Sequence, residues 1–254
     1  MLVEGSQELS MDEFKEILEL NGTRTLVTGA SGGFGSAVVK LLVDCGQEVI
    51  AIKRRFTSTD KLKLKNLEVI RLDLTDAKEV AEFASNTLAF DNVICCHGIS
   101  GLRLIPMITP DFVENVFANN FMSKVNLLSS LIKRKKINNP GRIVNVSSIS
   151  AHYGSSVVPI YSASHAATEA FMRSLAKSLL HKGVTVNSVA TNAIWTPIFS
   201  GVENSKDNKI FDAPLGRGVP DDVARAIYFL CQKGSTYITG ETLMLTGGKI
   251  VFDD

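Results

Sequence analysis

The sequence predicts a three-layer α/β/α domain built on a doubly wound parallel sheet, and three observations carry that expectation. Short apolar runs recur with little polar alternation, which suits strands covered on both faces. Amphipathic segments at helical spacing fill the gaps between them. Between the first run and the first such segment stands Thr28-Gly29-Ala30-Ser31-Gly32-Gly33-Phe34-Gly35, a glycine-rich turn.

Each element follows from local chemistry. Phe14, Ile17, Leu18 and Leu20 repeat at helical spacing behind Ser10, an N-cap candidate with Glu13 three positions on, so residues 1–22 read as a helical extension. Asn21-Gly22 ends it. Strands are expected at Arg24–Thr28, Glu48–Ile52, Leu67–Leu72, Asn92–Cys96, Gly141–Val146, Val184–Val189 and Glu241–Leu245. Helices are expected after the glycine turn, after Asp76, and over Phe112–Lys135, Tyr161–His181 and Asp221–Cys231. Neither a linker nor a repeat interrupts the pattern, so residues 23–254 read as one domain.

Composition narrows the partners. The net charge of +1, with 45% hydrophobic and 21% charged residues, gives no reason to invoke nucleic acid. The basic run Lys133-Arg134-Lys135-Lys136 reads as a solvated helix end. No stretch approaches the roughly 18 apolar residues of a membrane span. Residues 1–20 carry six acids and lack the cationic start of a signal peptide, so a cytoplasmic location is expected. The cysteines Cys45, Cys95, Cys96 and Cys231 have no metal-ligand spacing and read as reduced and buried, and no metal is expected.

The glycine turn leads from a strand into a helix, where bare backbone amides and the positive end of the helix dipole suit a diphosphate. Its glycines at 29, 33 and 35 do not follow the common G-x-G-x-x-G spacing. The second strand adds weight. Folds of this type that take a free ribose usually end that strand with an acid about 20 residues past the turn. Here it ends Lys53-Arg54-Arg55, three cations suited to a ribose 2′-phosphate, so NADP(H) is expected over NAD(H), with Arg54 as the principal clamp.

Ser148 and Tyr161 flank the exit of the fifth strand and together form a hydrogen-bond donor and a proton donor for one carbonyl oxygen. A tyrosine, with an ordinary pKa near 10, needs a positive charge nearby to act as acid and base around neutrality. His165 lies at i+4 from Tyr161, on the same helical face.

From Thr23 onward the chain resembles the short-chain dehydrogenase/reductase family. Thr28-Gly29-x-x-x-Gly33-x-Gly35 is similar to the family's T-G-x-x-x-G-x-G, and Ser148 precedes Tyr161 by the family's separation. The resemblance implies a Rossmann-type sheet binding the cofactor through Gly29, Ser31, Gly33, Phe34, Gly35, Asp73, Leu74, Gly98 and Thr196. Asp73 would hold the adenine, and Thr196 the nicotinamide carboxamide. It further implies that Asn120 organises a relay water, with Asn119 leaving the register open. Pro214-Leu215-Gly216-Arg217, Ile238-Thr239-Gly240 and Gly247-Gly248 also look familial. Family members assemble through the helices at 112–135 and 161–181, so a homodimer or homotetramer is implied.

Three motifs depart from the family. Its Y-x-x-x-K reads Tyr161-Ser162-Ala163-Ser164-His165, its N-N-A-G reads Cys95-Cys96-His97-Gly98, and its P-G reads Thr191-Asn192. In the family the lysine binds the nicotinamide ribose and lowers the tyrosine pKa. His165 is then a working substitute, a mark of lost activity, or a sign of altered chemistry. If it works through its charge, the rate falls as pH rises through the histidine range. His97 reads either as packing and ribose contact or as a proton donor. His152, Tyr153 and Trp195 fall where substrate would run, with an ordinary surface loop as the alternative. Residues 196–213 have apolar ends around a polar middle and suit a lid.

The expected function is NADP(H)-dependent interconversion of a carbonyl and a secondary alcohol on a small-molecule substrate, with Ser148, Tyr161, His165 and Asn120 as the catalytic group. The competing expectation is a nucleotide-binding protein with little or no turnover, acting as a sensor or partner subunit.

Overall fold

The computed structural model describes residues 20, 22–54, 65–196 and 209–249. The helix expected in the 1–22 extension, Arg55 and residues 197–208 of the expected lid lie outside the described residues.

Seven strands form one parallel sheet in the order β3-β2-β1-β4-β5-β6-β7. They are β1 Arg24–Thr28, β2 Glu48–Lys53, β3 Leu67–Arg71, β4 Phe90–Cys95, β5 Ile137–Ser148, β6 Val184–Thr191 and β7 Thr242–Leu245. Successive residues of the central strands feed opposite cores. Leu26, Ile50, Val93 and Ile143 join one apolar cluster, while Val27, Val49, Ile94 and Val144 join the other. That two-sided burial explains why the strands read as continuous apolar runs.

The helices are α1 Gly33–Asp44, α2 Ala77–Asn86, α3 Pro110–Phe117, α4 Ser123–Lys133, the short α5 Ser150–Tyr153, α6 Pro159–Leu179 and α7 Pro220–Cys231. Their starts are chemically marked. The Asp76 carboxylate accepts from the amides of Lys78 and Glu79, and Thr109 accepts from Phe112 ahead of Pro110. The long helix expected over 112–135 is broken by a π-helical turn at Ala118–Met122, between α3 and α4. Such wide turns cluster at functional positions. Leu127, Leu128 and Leu131 of α4 and Met172, Leu175 and Leu179 of α6 cover one face of the sheet. Val38 and Leu42 of α1 and Val223, Ile227 and Leu230 of α7 cover the other.

Strand order reverses direction at β1 and β4, whose carboxyl ends therefore splay apart into a crevice. All four cysteines are free thiols; Cys95 and Cys231 are buried as expected, whereas Cys45 and Cys96 are only partly so because each sits at the end of its element. Among the described residues no helix is long and apolar enough to cross a membrane, and no group of three or more His, Cys, Asp or Glu converges on a metal-sized point.

Candidate active site

The crevice at the strand ends is lined by Gly29, Ser31, Arg54, Asp73, Leu74 and Gly98, six of the residues expected to meet a nucleotide. Gly29 has φ +67, and a Cβ there would stand 2.7 Å from the backbone of His97. A Cβ on Gly35 would stand 2.2 Å from the Gly29 carbonyl oxygen. The turn therefore folds the start of α1 directly onto the end of β1, an approach that only glycine permits. Gly32, at the N-cap, offers no side-chain cap to α1. The first amides of that helix thus remain available to an anion. Gly33 begins the helix, and Phe34 packs into the second core cluster.

On the far wall the Asp73 carboxylate accepts from the Thr75 hydroxyl at 2.7 Å and the Thr75 amide at 2.9 Å. Those bonds, with a smaller contribution from Arg54, hold its pKa below the usual carboxylate value. Arg54 reaches across to donate to Asn119 Oδ1 at 3.3 Å. Lys53 closes β2, paired in register with Arg71. The two asparagines meet different surroundings. Asn119 lines the cleft, whereas Asn120 is fully buried on the π-helical turn. Its amide accepts from Ile99 N at 2.7 Å and donates to Ile99 O and Ser164 Oγ, each at 3.1 Å. Gly98 leaves room for it, since a Cβ there would lie 3.1 Å from Asn120 Oδ1.

Ser148, at the end of β5, shares a 3.0 Å hydroxyl contact with Ser150 and hydrogen-bonds Tyr161. Loss of water around the Tyr161 phenol pushes its pKa up to about 12, against the opposing pull of Ser148. One turn along α6 the His165 ring lies 4.3 Å from the Tyr161 ring, at 55° between planes. His165 is 5% exposed, and its Nδ1 is buried without a hydrogen-bond partner. Burial first, and the Lys124 ammonium second, push its pKa well below the ordinary histidine value. Loss of water thus drives the ring toward its neutral form, which favours a role through hydrogen bonding over one through charge.

His97 is fixed at both nitrogens, with Nδ1 2.6 Å from Thr28 Oγ1 and Nε2 2.9 Å from Ser123 Oγ. Burial likewise keeps it uncharged. Both hydroxyls also face carbonyls, Thr28 that of Ile94 and Ser123 that of Asn119. A neutral imidazole donates from one nitrogen and accepts at the other, so one hydroxyl gives its proton to the ring rather than to its carbonyl. These bonds make His97 part of the crevice wall.

His152 turns back onto buried Glu169, with Nε2 3.0 Å from Oε2, and Ser147 donates to the same carboxylate at 2.5 Å. Tyr153 is 44% exposed beside it. Thr196 is buried and Trp195 partly so, at the last described residues before 197.

Two residues of this assembly escaped the sequence reading. Ser123 anchors His97, and Lys124 is fully buried with its ammonium donating to Asn145 Oδ1 at 2.9 Å. The signal was present: Asn120, Lys124, Leu127, Leu128 and Leu131 share one helical face, and four of those five are residues of a core or a site.

The family described as enoyl-(acyl carrier protein) reductase matches residues 29–249. With this sheet and these strand-end residues, the chain belongs to the short-chain dehydrogenase/reductase family and is an oxidoreductase of that class. Within it, the chain is similar to 3-oxoacyl-[acyl-carrier-protein] reductases. The enzyme of Rickettsia conorii is 31% identical over 240 residues, spanning 92% of this chain and 100% of the relative. That of Rickettsia bellii is 33% identical over 244 residues, with the same coverage. A short-chain dehydrogenase/reductase from Brucella melitensis superposes with a TM-score of 0.84 at 23% identity, covering 91% of this chain and 97% of that one. A dehydrogenase/reductase from Sinorhizobium meliloti gives 0.83 at 23%, covering 93% and 98%; both speak to fold alone.

Proposed function

We propose that this protein interconverts a carbonyl and a secondary alcohol with NADP(H), and that Tyr161, Ser148, His165 and Asn120 carry the chemistry. The observation supporting it is the convergence of the Ser148 hydroxyl and the desolvated Tyr161 phenol at the open end of β5, beside a crevice whose glycines leave backbone amides bare. The crevice fits a dinucleotide: α1 has no side-chain cap, Arg54 faces the cleft, and the buried Nδ1 of His165 lacks a partner. Gly29, Ser31, Gly33, Phe34 and Gly35 would hold the diphosphate, Asp73, Leu74 and Gly98 the adenosine end, and Thr196 and His165 the nicotinamide end. Lys53, Arg54 and Arg55 would meet a 2′-phosphate, which favours NADP(H) over NAD(H).

The nicotinamide, when bound, supplies or accepts the hydride. Ser148 donates to the substrate oxygen and orients it. Tyr161 gives that oxygen a proton in reduction and removes it in oxidation. Neutral His165 offers a hydrogen bond to a sugar hydroxyl, and Asn120 holds the backbone of Ile99 and the water path behind the tyrosine. His152, Tyr153, Trp195 and the 196–213 segment would meet the substrate, and His97 would wall the crevice. A small-molecule substrate, a homodimer or homotetramer, and a cytoplasmic setting complete the proposal, as does the division into a 1–22 extension and a 23–254 catalytic domain.

NADPH oxidation tests it directly, with a panel of ketones, quinones, sugar-derived carbonyls and 3-oxoacyl thioesters. Turnover on at least one, abolished in Tyr161→Phe, is expected. One observation favours a second reading, a nucleotide-binding sensor or partner subunit: the helix of Tyr161 carries an uncharged histidine where the family has its lysine. Tight NADPH binding with no oxidation across the panel would support that reading instead.

A further inference from the structure

The family resemblance places a cation on the tyrosine's own helix, and here that position holds a neutral ring. A cation is nevertheless present. Lys124 sits one turn beyond Asn120, with no exposed surface, and its ammonium is held 2.9 Å from Asn145 Oδ1. Asn145 stands in register with Cys95 of β4 and Ser188 of β6, in the middle of the sheet near its carboxyl edge. A lysine fully enclosed in a core is rare unless its charge is paired.

The groups that face it come from every element around the site. From β4 and the turn beyond it come Cys95, Cys96 and His97, from β5 Asn145, and from α6 His165. None of them is an acid. The two thiols are held protonated by burial, Cys95 with a pKa pushed up to about 11 and Cys96 higher still. The ammonium therefore has Asn145 as its hydrogen-bond partner and no counter-charge among these groups. Both histidines that border the crevice and the tyrosine feel its field.

We propose that Lys124 is the cation of this active site: a positioning residue, moved from the helix of Tyr161 to the helix of Asn120, that acts through His165 and His97 rather than by touching substrate. Its charge adds to burial in holding the two rings unprotonated, which leaves them hydrogen-bonding partners of fixed sense for a cofactor. It also makes the site electropositive before any ligand arrives, so a reduced nicotinamide is favoured over the oxidised form, which carries a positive charge. The cofactor part of this inference rests on the proposed NADP(H) function; the effect on the histidines does not.

The test therefore has two arms. In the ligand-free wild type, the ring 15N and 13C shifts of His97 and His165 are followed by NMR from pH 6.5 to 10. Both are expected to show a step with a midpoint at about 8, where Lys124 loses its proton. Lys124→Met is expected to abolish that step and to let both rings protonate at higher pH than in the wild type. Flat shifts through that range in the wild type overturn the proposal without recourse to a variant. In the second arm, Kd for NADP+ and NADPH is measured at pH 7. Lys124→Met is expected to strengthen NADP+ relative to NADPH by roughly tenfold, the size of a charge–charge effect at short range in a partly shielded site. Equal changes in both affinities mean a packing role and overturn the proposal. If the wild type binds neither form, the NADP(H) function fails, while the histidine titration still decides the status of Lys124.

Discussion

His165 lies against Tyr161 with 4.3 Å between ring centroids, and the same loss of water moves the pKa values of the two groups in opposite directions. Burial raises the phenol and lowers the imidazole, so both are neutral across the physiological range. The pair is a phenol in contact with an aromatic base rather than a phenolate beside a cation.

Tyr161→Phe removes the transferable proton and leaves the ring packing intact. Its rate is expected to fall by about 10²–10⁴-fold while NADPH affinity, measured by fluorescence titration, stays close to wild type. Ser148→Ala removes the hydrogen bond that draws the phenol downward. The limb of the pH–rate profile belonging to Tyr161 should then move to higher pH; an unmoved limb would assign the proton to another group.

Arg54 lines the cleft and sits close enough to Asp73 to lower its pKa. Arg54→Ala should weaken NADPH by about 10–100-fold, the worth of a charge-assisted hydrogen bond, with little effect on NADH. Calorimetric titration with both cofactors measures this, and an equal loss for the two would remove the 2′-phosphate role.

Gly35 has no space for a methyl group, because its Cβ would stand 2.2 Å from the Gly29 carbonyl oxygen. Gly35→Ala is expected to destabilise the fold by roughly 1–3 kcal/mol or more, since backbone rather than a flexible side chain must move. Thermal denaturation reads this as a lowered Tm, and loss of NADPH binding should accompany it.

Stability should fall on mild acidification. In the folded state His97 and His165 have pKa values pushed well below 6.5, while in the unfolded chain they take protons near that value. Below pH 6.5 the unfolded state binds more protons, so each ring removes stability as pH falls, at up to about 1.4 kcal/mol per pH unit. Urea denaturation at pH 7 and pH 5.5 checks the slope. His97→Gln should lessen it; an unchanged slope would mean that the ring already accepts a proton when folded.

The sequence revealed the fold through particular residues. Leu26 and Val27, or Ile143 and Val144, go to opposite cores, and a sheet covered on both faces accounts for such adjacent apolar pairs. Element ends were less legible. β5 begins at Ile137 rather than Gly141: Ile137 pairs with Phe90, and Asn138-Asn139-Pro140, which has no strand-like pattern, spans a register shift before Arg142 pairs with Asn92. The π-helical turn at 118–122 was invisible for a related reason: its backbone widens to bring Asn120 inward, and side-chain periodicity carries no mark of that. At the site, motif spacing singled out Ser148, Tyr161 and the glycines, but it carries no information on the protonation state of His165. That depends on how completely distant segments exclude water. Lys124 was passed over because a lysine in an amphipathic helix ordinarily faces solvent.

Lys124 also constrains how this chain can change. Restoring the family's residue alone, by His165→Lys, would enclose a second ammonium near the first with no acid among their shared neighbours to neutralise either. The single reversion should therefore be harmful, whereas Lys124→Met with His165→Lys should be tolerated, a strong non-additivity between the two positions. On this reading the two lysines exclude one another, and a neutral ring at position 165 is what an ammonium at position 124 tolerates.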